Sequence, residues 1–462
     1  MEGLRSQPLP TRVKLGYGMG QFSEGIAYNF YYYFYTFFLV QVVELSPAVA
    51  GIISGLSVLW DAISDPIIGY LSDRSLSQLG RRRSFIGKAA VPFGIIVAVL
   101  YVKPPLSGAA LVGWICLVNF IFWLFFTICD VPWIILGNEL TDKFDEKTQL
   151  RTISTALLFL GQTAAVGLAL PVISFFSAQL DSEWKGWTVW GVIIGLITTM
   201  GFYISFRTTK GRDTVLSKSA TLAQAPSQFS FHHRVKELAA AAKDLFGVKG
   251  FLSLFLIGVL ATAAVGVFAS GSVFVLTDTY GAGESLVALC NILSSLWAIL
   301  ITQLLGKLAT KTDKKAVLAI VFSAVASSLF LIWILPDNIW TFYLSVALFF
   351  IGDAGFWTLL FSMAGDVTEL DEYQHKKKRE GLITSFLCFS TKAGCAAGMW
   401  LFGTGLDFIG YSSKAVSINA SLAGNIRSVF FLPIIVCYVG CFLLACKYPY
   451  SRKEYEGTKA HL

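Results

Sequence analysis

Two aspartates, Asp61 and Asp65, stand four residues apart in an otherwise apolar stretch, Trp60-Asp61-Ala62-Ile63-Ser64-Asp65-Pro66. On a helix that spacing puts both carboxylates on one face, about one turn apart. Like charges this close repel, so the pair wants a bound cation or a shared proton. Pro66 cannot donate to the Ala62 carbonyl, which leaves a further oxygen beside the acids. Such oxygens suit a hard cation such as sodium, or a proton. The competing reading is a structural pair satisfied by neighbouring helices.

Asp130 has a similar setting, in Thr127-Ile128-Cys129-Asp130-Val131-Pro132-Trp133. A proline follows the acid, with a hydroxyl three residues before it and an indole three residues after. A carboxylate beside an indole can hold a sugar, the oxygens accepting hydroxyl protons and the ring packing on C–H faces. An aspartate capping a broken helix would read the same way. Lys392 is the one cation deep in an apolar span. It could neutralise an acid across the interface between two halves or serve as a structural ion pair; in either case its loss leaves an uncompensated acid. Glu24 shares a helical face with Tyr28 and Tyr32, and Asp353 shares one with Trp357, so each set could line a cavity or make a stabilising polar contact. Asp73 with Arg81, Arg82 and Arg83, and Asp366 and Asp371 ahead of Lys376-Lys377-Lys378-Arg379, read as surface ion pairs that latch two halves in one state, or as simple topology signals.

The elements that must carry these residues follow from composition. Of 462 residues 55% are hydrophobic and only 14% charged, with mean hydropathy +0.65; soluble domains carry about 25% charged residues. This predicts an all-α membrane protein, because an ionisable group at membrane depth costs roughly 2.5–3.5 kcal/mol and few can be tolerated. Each crossing needs about 20 mostly apolar residues. Twelve stretches qualify, at roughly 15–42, 48–72, 85–103, 109–137, 152–177, 186–206, 250–277, 284–308, 316–335, 339–364, 381–405 and 428–447. The loops outside one face hold only Lys103, Lys185, Lys414 and Arg427; with Lys392 inside a span, 31 of the 36 Lys and Arg remain on the other side, with both termini. The positive-inside rule makes that side the cytoplasm. Asn419-Ala420-Ser421 would fit a glycosylation sequon on the outer side. The net charge of +7 does not point to nucleic acid, because the basic residues lie between spans rather than in one patch. The eight cysteines mostly sit in apolar stretches as small packing residues, and the four histidines lie in polar segments, so no resident metal, cofactor or enzymatic centre is expected.

The polar segment 207–249 divides the chain into a six-helix half at 1–206 and another at 250–447, with a tail at 448–462. Its stretch His233–Leu245 reads as an amphipathic helix on the inner leaflet or as a solvated linker. A weak internal repeat supports the division: Gly69-Tyr70-Leu71-Ser72-Asp73-Arg74 and Gly80-Arg81-Arg82-Arg83 follow span 2, while Gly306-Lys307-Leu308-Ala309 and Lys311, Asp313, Lys314 and Lys315 follow span 8. Two such halves resemble the major facilitator superfamily, whose substrates bind between halves near the midplane.

Taken together, Trp60 to Pro66, Leu15-Gly16-Tyr17-Gly18-Met19-Gly20, Asp130-Val131-Pro132, Asp366 to Tyr373, Glu380-Gly381 and Lys392 resemble the glycoside–pentoside–hexuronide:cation symporters, the melibiose-permease group. The resemblance covers most of the chain. It implies cation-coupled import, with Asp61, Asp65 and Thr127 at the cation, Asp130 at the sugar and Lys392 linking the two sites. Some positions depart from the family pattern. The acid that grips galactosides in span 1 aligns with Gly25, its neighbouring lysine with Glu24, and the span 5 arginine with Thr155; Ser64 replaces a frequent asparagine, and Asp353 has no counterpart. These departures argue against a galactoside and leave Na+ and H+ both open. The expectation is a monomeric carrier in the inner (plasma) membrane, importing a small-molecule cargo, a sugar, glycoside or uronide, by alternating access. A non-sugar or amphipathic lipid-like solute is the alternative, with a membrane-embedded enzyme or receptor behind it.

Overall fold

A computed structural model describes residues 8–141, 143–213, 245–248, 250–335, 338–375, 380–412 and 420–450. The expected inner-leaflet helix at 233–245 (all but Leu245), the basic run 376–379 and Asn419 fall outside these residues. The described chain is helical, with no strand. Its helices are α1 (Thr11–Gln41), α2 (Pro47–Asp73), α3 (Arg83–Leu100), α4 (Gly108–Glu139), α5 (Phe144–Gly167), α6 (Ala169–Gln179) and α7 (Glu183–Thr208), followed by α8 (Phe251–Phe274), α9 (Glu284–Lys311), α10 (Lys314–Ile334), α11 (Ile339–His375), α12 (Glu380–Phe408) and α13 (Ala420–Lys447). A π-helical turn, Val275–Thr279, prolongs α8. Among the described residues nine helices are long and apolar enough to cross a membrane, or ten if α5 and α6, bent by 41°, form one span. The tyrosine- and glycine-rich α1 lies outside that set, as does α9.

Contacts divide the chain into two compact units. One comprises Met1–Leu45, Leu56–Pro226 and Gly283–Ile292, the other Ser46–Gly55, Ser227–Ala282 and Leu293–Leu462. In the first unit α1 packs on α5 and α7, and α3 on α4 and α7. In the second α8 packs on α12 and α13, and α10 on α11 and α13. Both α2 and α4 run unbroken through their prolines, Pro66 and Pro132, so the broken helix weighed at Asp130 does not form. Membrane helices tolerate proline because neighbouring helices can satisfy the freed carbonyls.

The tyrosine run of α1 separates by face. Tyr31 and Tyr35 are buried against α4, where the Tyr31 hydroxyl donates to Asn119 Oδ1 at 2.9 Å and the Asn119 amide donates to the Tyr35 oxygen. A polar group without a partner in this apolar layer would cost several kcal/mol, so the network fixes how α1 sits on α4.

The basic end of the first unit holds a second network. Arg81 pairs with Glu139 at 2.5 Å, and Arg82 pairs with Asp73 and lies 3.7 Å from Glu139. The Arg83 guanidinium donates to the Phe206 and Leu79 carbonyls at 2.6 and 2.7 Å. Asp213 comes from beyond α7 to cap the start of α3, accepting the Arg82 and Arg83 backbone N–H groups at 2.7 and 2.8 Å. This satisfies donors that a helix N-terminus otherwise leaves open. The second unit repeats the device with local parts: Asp313 caps α10 by accepting the Lys315 N–H at 3.2 Å, and Lys314 pairs with Asp366 at 2.7 Å. Arg427, assigned to an outer loop by sequence, lies instead in the second turn of α13 and is buried; it donates to the Ile332 and Leu335 carbonyls at 2.5 and 3.0 Å, closing the C-terminal end of α10.

The Asp213 cap depends on Gly80, whose φ of +108° an L side chain rarely adopts and where a Cβ would run into the Asp213 carboxylate. Gly80→Ala is therefore expected to cost about 1–3 kcal/mol, read as a lower unfolding temperature in detergent; an unchanged transition would mean the cap contributes nothing.

Candidate functional site

Asp61 and Thr127 are brought together although 66 residues separate them. Asp61, on α2, is only 2% exposed. The Thr127 hydroxyl, on α4, lies 2.8 Å from Asp61 Oδ1, 2.8 Å from Ser64 Oγ and 3.0 Å from the Trp123 carbonyl. Ser64 Oγ is in turn 3.0 Å from the Asp61 carbonyl. Five oxygens thus crowd together, while the two hydroxyls can each donate only one proton. Oxygens gathered in this way suit a hard cation or an added proton. Ser64, which the family pattern marked only as a departure, is the link between the acid and the hydroxyl. Asp65, one turn further along α2, is only half-buried. The acid pair is therefore asymmetric, with one member sealed among oxygens and the other more open.

Aromatic rings from α1 and α4 continue the site. Tyr28 stacks on Tyr32 at 4.2 Å between centroids and lies 5.8 Å from Phe126 and 6.1 Å from Trp123. Glu24, one turn before Tyr28, accepts a hydrogen bond from Gln21. Glu24, Asp130 and Arg151 all lie within electrostatic reach of the Tyr17 hydroxyl, so α1, α4 and α5 converge there. Arg151 was missed by sequence because span 5 was begun at 152; α5 starts at Phe144, which places Arg151 inside the helix. The sequence signal was available, since 151 falls one turn before Thr155. Gly25 also gains a reason: a Cβ there would lie 2.6 Å from the Leu158 carbonyl, so α1 meets α5 where only glycine fits.

Trp133 does not offer a ring to a cargo. It is fully buried, stacks on Tyr17 at 4.2 Å, and donates its indole N–H to the Tyr17 carbonyl at 3.0 Å. The Tyr17 hydroxyl returns a bond to the Trp133 carbonyl at 3.2 Å. Its place is a clamp between α1 and α4.

In the second unit Asp353 and Trp357 interact directly on α11, with the Tyr438 ring of α13 in electrostatic contact with the acid. Asp353 Oδ1 is buried with no hydrogen-bond donor among the described residues. Lys392 is half-buried on α12, and Asp371 is 2% exposed. Asp73, Arg81, Arg82, Arg83 and Asp366 make the pairs described above, each inside its own unit. A further acid escaped the sequence reading. Asp278, on the π-helical turn just past the expected end of span 7, accepts from Tyr411 and from Thr277. Among the described residues no group of three or more His, Cys, Asp or Glu is arranged to hold a metal ion.

The model of the MFS/sugar transport protein family matches residues 16–452. A putative glycoside/cation symporter of Escherichia coli, YagG, is 24% identical, with 98% of this chain and 95% of that one covered. The sodium-dependent lysophosphatidylcholine symporter 1 of Xenopus tropicalis is 22% identical over 93% and 85%. A crystal structure of a D-xylose–proton symporter superposes with a TM-score of 0.66 over 97% and 99% of the two chains at 16% identity, which speaks to the fold alone. The relatives and structural neighbours are transporters rather than enzymes. A match over nearly the whole length of a helical chain means that the chain belongs to the MFS/sugar transport protein family, in the glycoside–pentoside–hexuronide:cation symporter group.

Proposed function

We propose that the chain is a Na+- or H+-coupled symporter that imports a sugar, glycoside or uronide by alternating access. It crosses a bacterial inner membrane twelve times with both termini in the cytoplasm, its halves at 1–206 and 250–447 joined by the segment 207–249. The observation that carries this reading is the cluster of Asp61, Ser64 and Thr127, where five oxygens converge. Cation binding there, with Asp65, offsets the repulsion of the paired acids and shapes the neighbouring cargo site. Asp130, Glu24, Tyr28 and Tyr32 are the cargo-binding residues of the first half, Asp353 and Trp357 those of the second, and Lys392 has the coupling role. The latch residues Asp73, Arg81, Arg82, Arg83, Asp366 and Asp371 hold the resting state.

The driving force is sufficient. A potential of 100 mV supplies about 2.3 kcal/mol per charge, and a tenfold ion gradient about 1.4 kcal/mol more. Together they support concentration of a cargo by several hundredfold. The similarity to a lysophosphatidylcholine symporter favours a second reading, an amphipathic cargo on the same ion site; a panel of sugars and lysolipids, each with and without sodium, separates the two.

In vesicles with an imposed ion gradient, Asp61→Asn and Asp65→Asn are expected to abolish uphill accumulation. Persistence of concentrative uptake in both would sink the assignment. Thr127→Val removes a hydroxyl donated to a charged group, a contact worth about 1.5–3 kcal/mol. The cation concentration for half-maximal uptake should rise about ten- to a hundredfold, and Thr127→Ser should restore it; an unchanged cation dependence in Thr127→Val removes Thr127 from the site.

A further inference from the structure

Among the basic side chains at the Lys/Arg-rich end of the first unit, two share one groove. Arg81, Arg82 and Arg83 are spent on carboxylates and backbone carbonyls. Arg12 and Arg207 make no ion pair and no side-chain hydrogen bond with any described residue. They sit at neighbouring ends of α1 and α7, and both line a groove of about 650 Å3 whose walls are otherwise Leu15, Met19, Tyr203 and Ile204 with Gly16 and Thr208. Among the described residues no carboxylate lines it. Arg207 leans toward the Tyr203 ring, 6.0 Å from its centroid, and also borders an adjoining cavity where Lys210 adds a further positive charge.

The apolar wall continues beyond the groove. Leu196, Met200 and Tyr203 form one exposed stripe of α7, at 60%, 61% and 46% exposure, and Leu15 on α1 is 50% exposed. From Leu196 to Arg207 a helix rises about 17 Å, close to one leaflet of a hydrocarbon core about 30 Å thick. A charged mouth at the level of the headgroups, followed by an apolar track one leaflet deep, has the dimensions of a phospholipid. Two guanidinium groups unpaired among the described residues call for a net negative headgroup, since the one carboxylate of the adjoining cavity, Asp213, already accepts the Arg82 and Arg83 N–H groups and the groove itself offers the ammonium of a zwitterionic lipid no described acid. A neighbouring groove of about 470 Å3 has Lys88 as its one charged lining residue and serves as the internal comparison.

We propose that the groove between α1 and α7 is a site for an anionic phospholipid, its phosphate held between Arg12 and Arg207 and one acyl chain lying along Tyr203, Met200 and Leu196. Nothing in this depends on which solute the carrier moves. The test uses the full-length protein in detergent, incubated with dioleoylphosphatidylglycerol and examined by native mass spectrometry. Wild-type protein should retain one such lipid under activation that strips dioleoylphosphatidylcholine. Arg12→Ala/Arg207→Ala should weaken retention about thirtyfold, from two basic contacts to an anionic headgroup. Arg12→Lys/Arg207→Lys should recover most of it, and Lys88→Ala should leave it unchanged. Equal retention by wild type and the double alanine variant overturns the proposal. So does equal retention of the phosphatidylcholine, an equal loss in Lys88→Ala, or competition by soluble glycerol phosphate at the lipid's own concentration.

Discussion

A carboxylate held in hydrocarbon has to be compensated, and most of what is distinctive in this chain follows from how that is arranged at Asp61. Oxygens gather round the acid: Thr127 and Ser64 approach it with hydroxyls that also reach the Trp123 and Asp61 carbonyls. Oxygen neighbours of this kind let the charge be buried and still suit a positive particle. The unbroken course of α2 and α4 through their prolines matters for the same reason, since it keeps Asp61, Ser64 and Thr127 on rigid backbone.

Elsewhere the first unit spends its polar groups on holding helices in place. Trp133 and Tyr17 exchange bonds with each other's backbone and stack ring on ring, so α1 and α4 are fixed beside the acid cluster. Tyr31, Tyr35 and Asn119 repeat the idea deeper in the layer. At the basic end the arginines terminate helices and tie loops rather than decorate a surface. The two units solve the same problem with different parts: a carboxylate caps the start of α3 from beyond α7 and the start of α10 from the adjoining loop. A repeat that has nearly vanished from the sequence thus persists as a repeated interaction.

Much of this was legible in the chain. Composition and the length of apolar runs set the helical class and the approximate spans, because burying a peptide group in lipid without a hydrogen bond is so costly that only a helix or a closed barrel avoids it. The four-residue spacing of Asp61 and Asp65 gave the shared face, and motif resemblance pointed to Thr127. The edges were less accurate where polar residues sit inside a helix. Arg151, Asp278 and Arg427 were all placed just outside spans, because hydropathy falls at a charge whether or not the helix has ended.

Partnership across helices was decided by the tertiary structure alone. Trp133 and Tyr17 lie 116 residues apart, and no local pattern tells an indole that faces a cargo from one that faces a tyrosine. Ser64 looked like a neutral replacement until α4 brought Thr127 within 2.8 Å of it. Residue type and periodicity fix which groups are costly to bury and which face of a helix they share. Which neighbour compensates them depends on how closely two helices approach, and that is set by packing at positions such as Gly25, where one added carbon would meet a carbonyl.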